Sequence, residues 1–125
     1  MKKIVQFALL SLVILFLGAN VSARAAELNL DFTIVNKTGW AIKEIYVAPT
    51  SSDNWEENII KEPLEDGESL EVTFEPSEKT KKWDLRIVWV DEGKPVYWRN
   101  YDLTEISKIT LFYNEKTDVT SAKTE

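Results

Sequence analysis

Carboxylates and large aromatic rings dominate the reactive side chains of this sequence. His and Cys are both absent from its 125 residues. That removes the commonest general base, the commonest metal ligand and every thiol nucleophile. Ser-His-Asp and Cys-His machinery is excluded, and catalytic zinc is disfavoured. The densest acidic loop carries Asp53, Glu56 and Glu57 within Ser51–Glu57. Carboxylates on a loop are natural ligands for a hard cation such as Ca²⁺. The spacing does not match the D-x-[DN]-x-[DN]-G pattern of an EF-hand, and the segment has no glycine to bend it sharply. Asp91 and Glu92, at a hairpin tip, can join such a site only from the same end of the fold. The simpler reading is structural: Ser52 or Asp53 caps a short helical turn near residues 53–58, and Trp55 anchors it to the core.

A second cluster is aromatic. Tyr97, Trp98, Arg99 and Tyr101 surround one hairpin, with Trp89 on its other arm. Alternate strand residues face opposite sides, so Tyr97 and Trp98 cannot both enter one core. One face therefore shows rings flanked by Arg99, suited to stacking on a sugar or a peptide. Cross-strand packing within the hairpin is the competing explanation. Hydrolysis by a carboxylate pair needs two carboxyls about 5 to 9 Å apart across a cleft. A domain this small has little room for one.

The elements that must hold these residues read as strands. Leu28, Leu30, Phe32 and Ile34 alternate with polar residues, the period of a half-buried strand. Asn36-Lys37-Thr38-Gly39 is turn chemistry. Trp40 to Val47 changes phase partway, which predicts a bulge near Lys43-Glu44. Ile59 and Ile60 should tuck the following loop onto the core. Leu70, Val72 and Phe74 define a further inward face. Trp83, Leu85, Ile87 and Trp89 alternate with residues that turn apolar at the strand end, as expected of a central strand covered on both faces. A hairpin at Asp91–Pro95 leads to Val96–Asn100, and Ile109, Leu111 and Tyr113 mark the last strand. The expected fold is all-β: a small antiparallel β-sandwich, Ig-like, of six or seven strands, with the helical turn near 53–58 as its one exception. Phe32, Ile34, Leu70, Val72, Leu85, Ile87, Ile109 and Leu111 are its expected core.

Ahead of the domain, Lys2-Lys3, an apolar run from Ile4 to Leu17 and the small residues Gly18–Ala26 have the layout of a bacterial secretory signal peptide. Cleavage after Val21-Ser22-Ala23 or Ala23-Arg24-Ala25 fits, and the second is favoured. The apolar run is shorter than the ~20 residues of a spanning helix. The expected organisation is a signal peptide over 1–25, a sandwich over 26–113 and a flexible polar tail over 114–125. Of the 15 basic residues Lys2, Lys3 and Arg24 leave with the leader, so 12 face 21 acids and the net charge falls from −6 to −9. Such a surface repels nucleic acid and anionic membrane.

Three segments together resemble a family of short exported bacterial β-domains of unassigned function. They are Asn36-x-Thr38-Gly39, Tyr46-Val47-Ala48-Pro49-x-Ser51-Ser52-Asp53-x-Trp55 and Leu64-x-x-Gly67-Glu68-Ser69. The resemblance runs from about Val35 to Phe112. In that family a Gly often follows the Trp and an acid comes two positions later; here Glu56 and Asn58 stand there. The resemblance implies the fold and export, and no particular activity. The expected protein is an exported, non-catalytic binding or interaction module of the envelope, periplasmic or secreted. Its partner would be a protein or glycan, met through Tyr97, Trp98, Arg99 and Tyr101. The alternatives are a calcium-binding sandwich using Asp53, Glu56 and Glu57, and an envelope inhibitor or small hydrolase. No organic cofactor is expected.

Overall fold

The computed structural model describes residues 4–6, 28–91 and 94–125. The expected leader lies outside the described residues apart from Ile4–Gln6, a short strand β1. The other strands are β2 (Phe32–Lys37), β3 (Ile42–Pro49), β4 (Ser69–Phe74), β5 (Lys82–Trp89), β6 (Val96–Asp102), β7 (Lys108–Asn114) and β8 (Val119–Thr124). Strands β2–β8 form a sandwich of two sheets, one of four strands in the order β4-β2-β7-β8 and one of three in the order β3-β5-β6. β1 lies antiparallel along the outer edge of β4, with Ile4 opposite Phe74. All pairs are antiparallel except β2 with β7, which run parallel from Thr33 opposite Lys108.

The core lies between the sheets, where the period-two residues of each strand meet. Phe32, Ile34, Val72, Leu85, Ile87, Ile109 and Leu111 are buried as expected, and Leu70 packs against them half-buried. Leu30, Ile42, Ile45, Val47, Ile59, Ile60, Leu64, Trp83 and Leu103 complete the cluster. Trp83 is the largest buried side chain, and its indole N–H donates to the Thr80 carbonyl at 2.7 Å. A buried indole without such an acceptor would forfeit a hydrogen bond. The register shift between Ile42 and Glu44 is the expected bulge, and it lets Ile42 and Ile45 both face the core. β5 is the central strand of its sheet, as its two-sided apolar end requires.

Two expectations are corrected. Residues 53–58 form no helical turn, and the described residues contain no helix. Ser52 and Asn54 fold the segment with side-chain bonds instead: the Asn54 N–H donates to Ser52 Oγ at 3.0 Å and the Glu56 N–H to Asn54 Oδ1 at 2.8 Å. Glu56 sits at φ 61°, which ends any helical path. Asn58 then stands in for a strand, its Oδ1 accepting from Ile45 N at 2.9 Å and Ile60 N at 3.1 Å. Ile59 and Ile60 are thereby buried as expected. The second correction concerns 114–125, which folds back as β8 rather than fraying. Asn114 Oδ1 gathers the N–H groups of Lys116 and Thr117, and β8 pairs with β7 from Asn114–Val119 to Ile109–Thr124. Lys108 N and Glu125 O close the strand at 3.1 Å.

A buried polar turn joins β2 to β3. Asn36 continues the inward side of β2 after Phe32 and Ile34 and is fully buried. Its Nδ2 donates to the Trp40 and Leu64 carbonyls at 2.8 and 2.9 Å. Its Oδ1 accepts from the Thr38 N–H at 3.0 Å and the Thr38 hydroxyl at 2.7 Å. Gly39, at φ 88°, makes the left-handed step and donates its N–H to Asp66 at 2.8 Å.

Candidate binding face on the three-stranded sheet

The outer face of the three-stranded sheet is built by alternation interrupted at one point. On β5, Trp83, Leu85 and Ile87 turn inward, so Asp84 and Arg86 point outward. Arg86 stands opposite Tyr46 on one neighbour and Tyr97 on the other. On β6 the register shifts between Trp83 and Leu85, leaving Arg99 and Asn100 across from Asp84 alone. Asn100 adopts φ 63° there. This bulge lets Trp98 and Tyr101, three positions apart, both pack against the core, while Tyr97 and Arg99 project outward.

Asp84 holds the bulge. Its side chain is only 3% exposed, and it accepts from Thr50 Oγ1 at 2.7 Å, Asn100 N at 2.9 Å and Arg99 at 2.8 Å. Those three donors offset the cost of taking a carboxylate out of water. Arg99 stays 57% exposed. It is thus aimed by a buried partner while keeping part of its guanidinium in solvent.

Above this floor lies a layer of rings and cations. The Arg86 guanidinium carbon is 4.6 Å from the Tyr46 ring centre and 5.9 Å from both Trp55 and Tyr97. Arg99 lies 5.8 Å from Trp55 and 5.3 Å from Tyr97. Trp55 contacts Tyr46 edge-on at 6.5 Å and Tyr97 at 5.8 Å. Cations stacked on ring faces each contribute about 0.5 to 2 kcal/mol. The Arg86 Nε is buried and has no hydrogen-bond partner among the described residues, so the ring contacts are what the structure shows holding this cation. The Tyr46 hydroxyl donates to Glu44 at 2.6 Å, and that bond, with burial, raises the phenol above its ordinary value of 10.0.

Of the expected ligand face, the structure therefore keeps Tyr97 and Arg99 and turns Trp98 and Tyr101 to the core. It adds Tyr46, Trp55 and Arg86 from β3, the 51–58 loop and β5. Trp55 is an anchor of a different kind from the one expected: half-buried, it covers the outside of the sheet rather than entering the core. Asp53, Glu56 and Glu57 do not converge. Among the described residues no group of three carboxylates is placed to hold a metal ion. The extended loop spreads their side chains into solvent. Asp91 remains exposed at its hairpin, and Glu92 lies outside the described residues.

The fold defines a small all-β sandwich. Protein-family models, curated proteins and solved structures contain no match to this chain. No helix among the described residues is long and apolar enough to cross a membrane.

Proposed function

We propose that this chain is an exported, non-catalytic binding module of the bacterial envelope, periplasmic or secreted, which recognises a protein or glycan through the outer face of its three-stranded sheet. One observation carries the reading. Where a solvent-facing sheet ordinarily presents small polar residues, this one gathers Tyr46, Trp55, Tyr97, Arg86 and Arg99 in mutual contact. Trp, Tyr and Arg dominate the residues that carry binding energy at interfaces, because they bury much area at little entropic cost. Tyr97 is 45% exposed and Arg99 more so, leaving both available to a partner. The secretory layout of the leader and the resemblance to exported β-domains support the location. The lack of His and Cys supports a role without catalysis.

The test compares the purified protein with Tyr97→Ala and Trp55→Ala variants for retention on separated envelope polysaccharide and envelope protein. Loss of a central ring should weaken binding by about 2 kcal/mol or more, some thirtyfold. Equal retention of all three proteins, or none by the parent, refutes the assignment of this face.

A further inference from the structure

A second aromatic surface lies at one end of the sandwich, around the β2–β3 turn, the end of β5 and the β7–β8 hairpin. It is a half-open groove of about 660 Å³, lined by Trp40, Trp89, Val90, Tyr113 and Asp118, with Lys94 at its rim. That volume falls within the range of about 300 to 1,000 Å³ typical of small-molecule sites. We propose that this groove is a separate binding site for a neutral pyranose sugar, stacked on Trp40 and hydrogen-bonded by Asp118.

Trp40 is the first observation. It is 45% exposed, an unfavourable placement for an indole with no partner. Yet the backbone that presents it is hydrogen-bonded on both sides. Its N–H donates to Thr38 Oγ1 at 3.1 Å and its carbonyl accepts from the buried Asn36 at 2.8 Å. A ring held this way loses little backbone freedom when a ligand lands on it. Its negative face suits the weakly positive C–H groups along one side of a pyranose.

Asp118 is the second. It occupies the last turn position at φ 61°, where glycine is the least strained residue. The carboxylate gained in exchange lines the groove. Its Oδ1 accepts from the Tyr113 hydroxyl at 2.7 Å, which also fixes that ring against Trp89 at 6.2 Å. Its other oxygen has no hydrogen bond among the described residues and can accept from a sugar hydroxyl. Asp91 and Lys94 add an acceptor and a donor at the rim.

The charge balance narrows the ligand class. Among the described residues two carboxylates against one ammonium disfavour acidic sugars, and the carboxylates set into the aromatic lining disfavour a wholly apolar guest. The arginine-bearing face described above carries the opposite bias, so the two sites are distinguishable.

The experiment follows indole N–H signals of the purified protein by NMR during titration with cellobiose, maltose, lactose and N,N′-diacetylchitobiose, and with glucuronic acid as a charged control. At least one neutral sugar should shift the Trp40 and Trp89 signals with a Kd on the order of 1 mM, an ordinary affinity for so open a site. Trp40→Ala and Asp118→Asn should each weaken binding about tenfold or more, and Tyr97→Ala should leave it unchanged. Asp118→Asn keeps a residue that tolerates the left-handed conformation, so it guards against misfolding as the cause. The proposal is overturned if none of the four neutral sugars shifts these signals, if Trp55 responds in their place, or if glucuronic acid binds as well.

Discussion

Replacing Asn36 with alanine should destabilise the fold by about 3 to 5 kcal/mol, a large share of the stability of a small domain. The four hydrogen bonds of this side chain do not count equally. The Leu64 carbonyl keeps the Ile42 N–H at 2.9 Å, and the Thr38 hydroxyl, 3.1 Å from the Trp40 carbonyl, can turn to it. The Thr38 N–H, however, is buried and has Asn36 Oδ1 as its acceptor at 3.0 Å. Leaving a buried donor unmatched costs about 1 to 3 kcal/mol, and each lost bond that is partly compensated about 0.5 to 1.5 kcal/mol. The space vacated by the amide adds a small cavity term. Urea unfolding followed by tryptophan fluorescence would show the loss as a lower midpoint at unchanged slope. Asn36→Asp should be worse at neutral pH, because it sets a buried carboxylate against two carbonyl oxygens, and it should recover in part as pH falls and the acid gains a proton to donate. A loss below about 1 kcal/mol for Asn36→Ala, or an Asp variant as stable as the parent, would refute this account of the turn.

Other outcomes follow from the same structure. Ile87, fully buried at the centre of the three-stranded sheet, should cost about 2 to 5 kcal/mol on replacement by alanine, measurable in the same unfolding assay. The Tyr113 phenol is raised above its ordinary 10.0 chiefly by its bond to Asp118, so Asp118→Asn should lower its midpoint in an alkaline ultraviolet titration. Burial raises the Asp31 carboxyl above its ordinary 3.8, partly opposed by the bond it accepts from the Phe74 N–H. A raised acid favours folding while protonated, so its contribution is present below 3.8 and lost as pH rises through the folded value. Asp31→Asn should therefore flatten that part of the stability–pH profile, and an unchanged slope would count against it.

Most of the core was legible because strands print their buried face at every second residue. The alternation of Phe32 with Ile34, of Leu85 with Ile87 and of Ile109 with Leu111 needs no tertiary information, and the bulge at Lys43–Glu44 shows as a change of phase. The bulge at Asn100 leaves no such mark. Both sides of β6 carry rings, so no apolar phase exists to break, and Trp98 and Tyr101 cannot be told from Tyr97 by type. β8 is silent for another reason: in Val-Thr-Ser-Ala-Lys-Thr the inward face is Thr120 and the small Ala122, and an edge strand needs little apolar signal. Asn36 reads as a turn residue, although its place two residues after Ile34 puts it on the core side. Around Trp55, the capping chemistry of Ser52 and Asp53 argues for a helix, but Asn54 and Asn58 satisfy the backbone without one.

The parallel pairing of β2 with β7 has a consequence for the order in which the molecule assembles. β2 is made early, yet its partners on either side are β4 and β7, and Thr33 meets Lys108 only when nearly the whole chain is present. Closing so long a loop costs entropy before any contact repays it, and such topologies fold slowly. In the four-stranded sheet the β2–β4 pair can form before β7 is made, but the centre of the sheet closes only with β7. A chain threaded through a narrow pore from its N-terminus could not complete the four-stranded sheet until β7 emerged on the far side. The connectivity thus ties completion of the core to the last third of the chain.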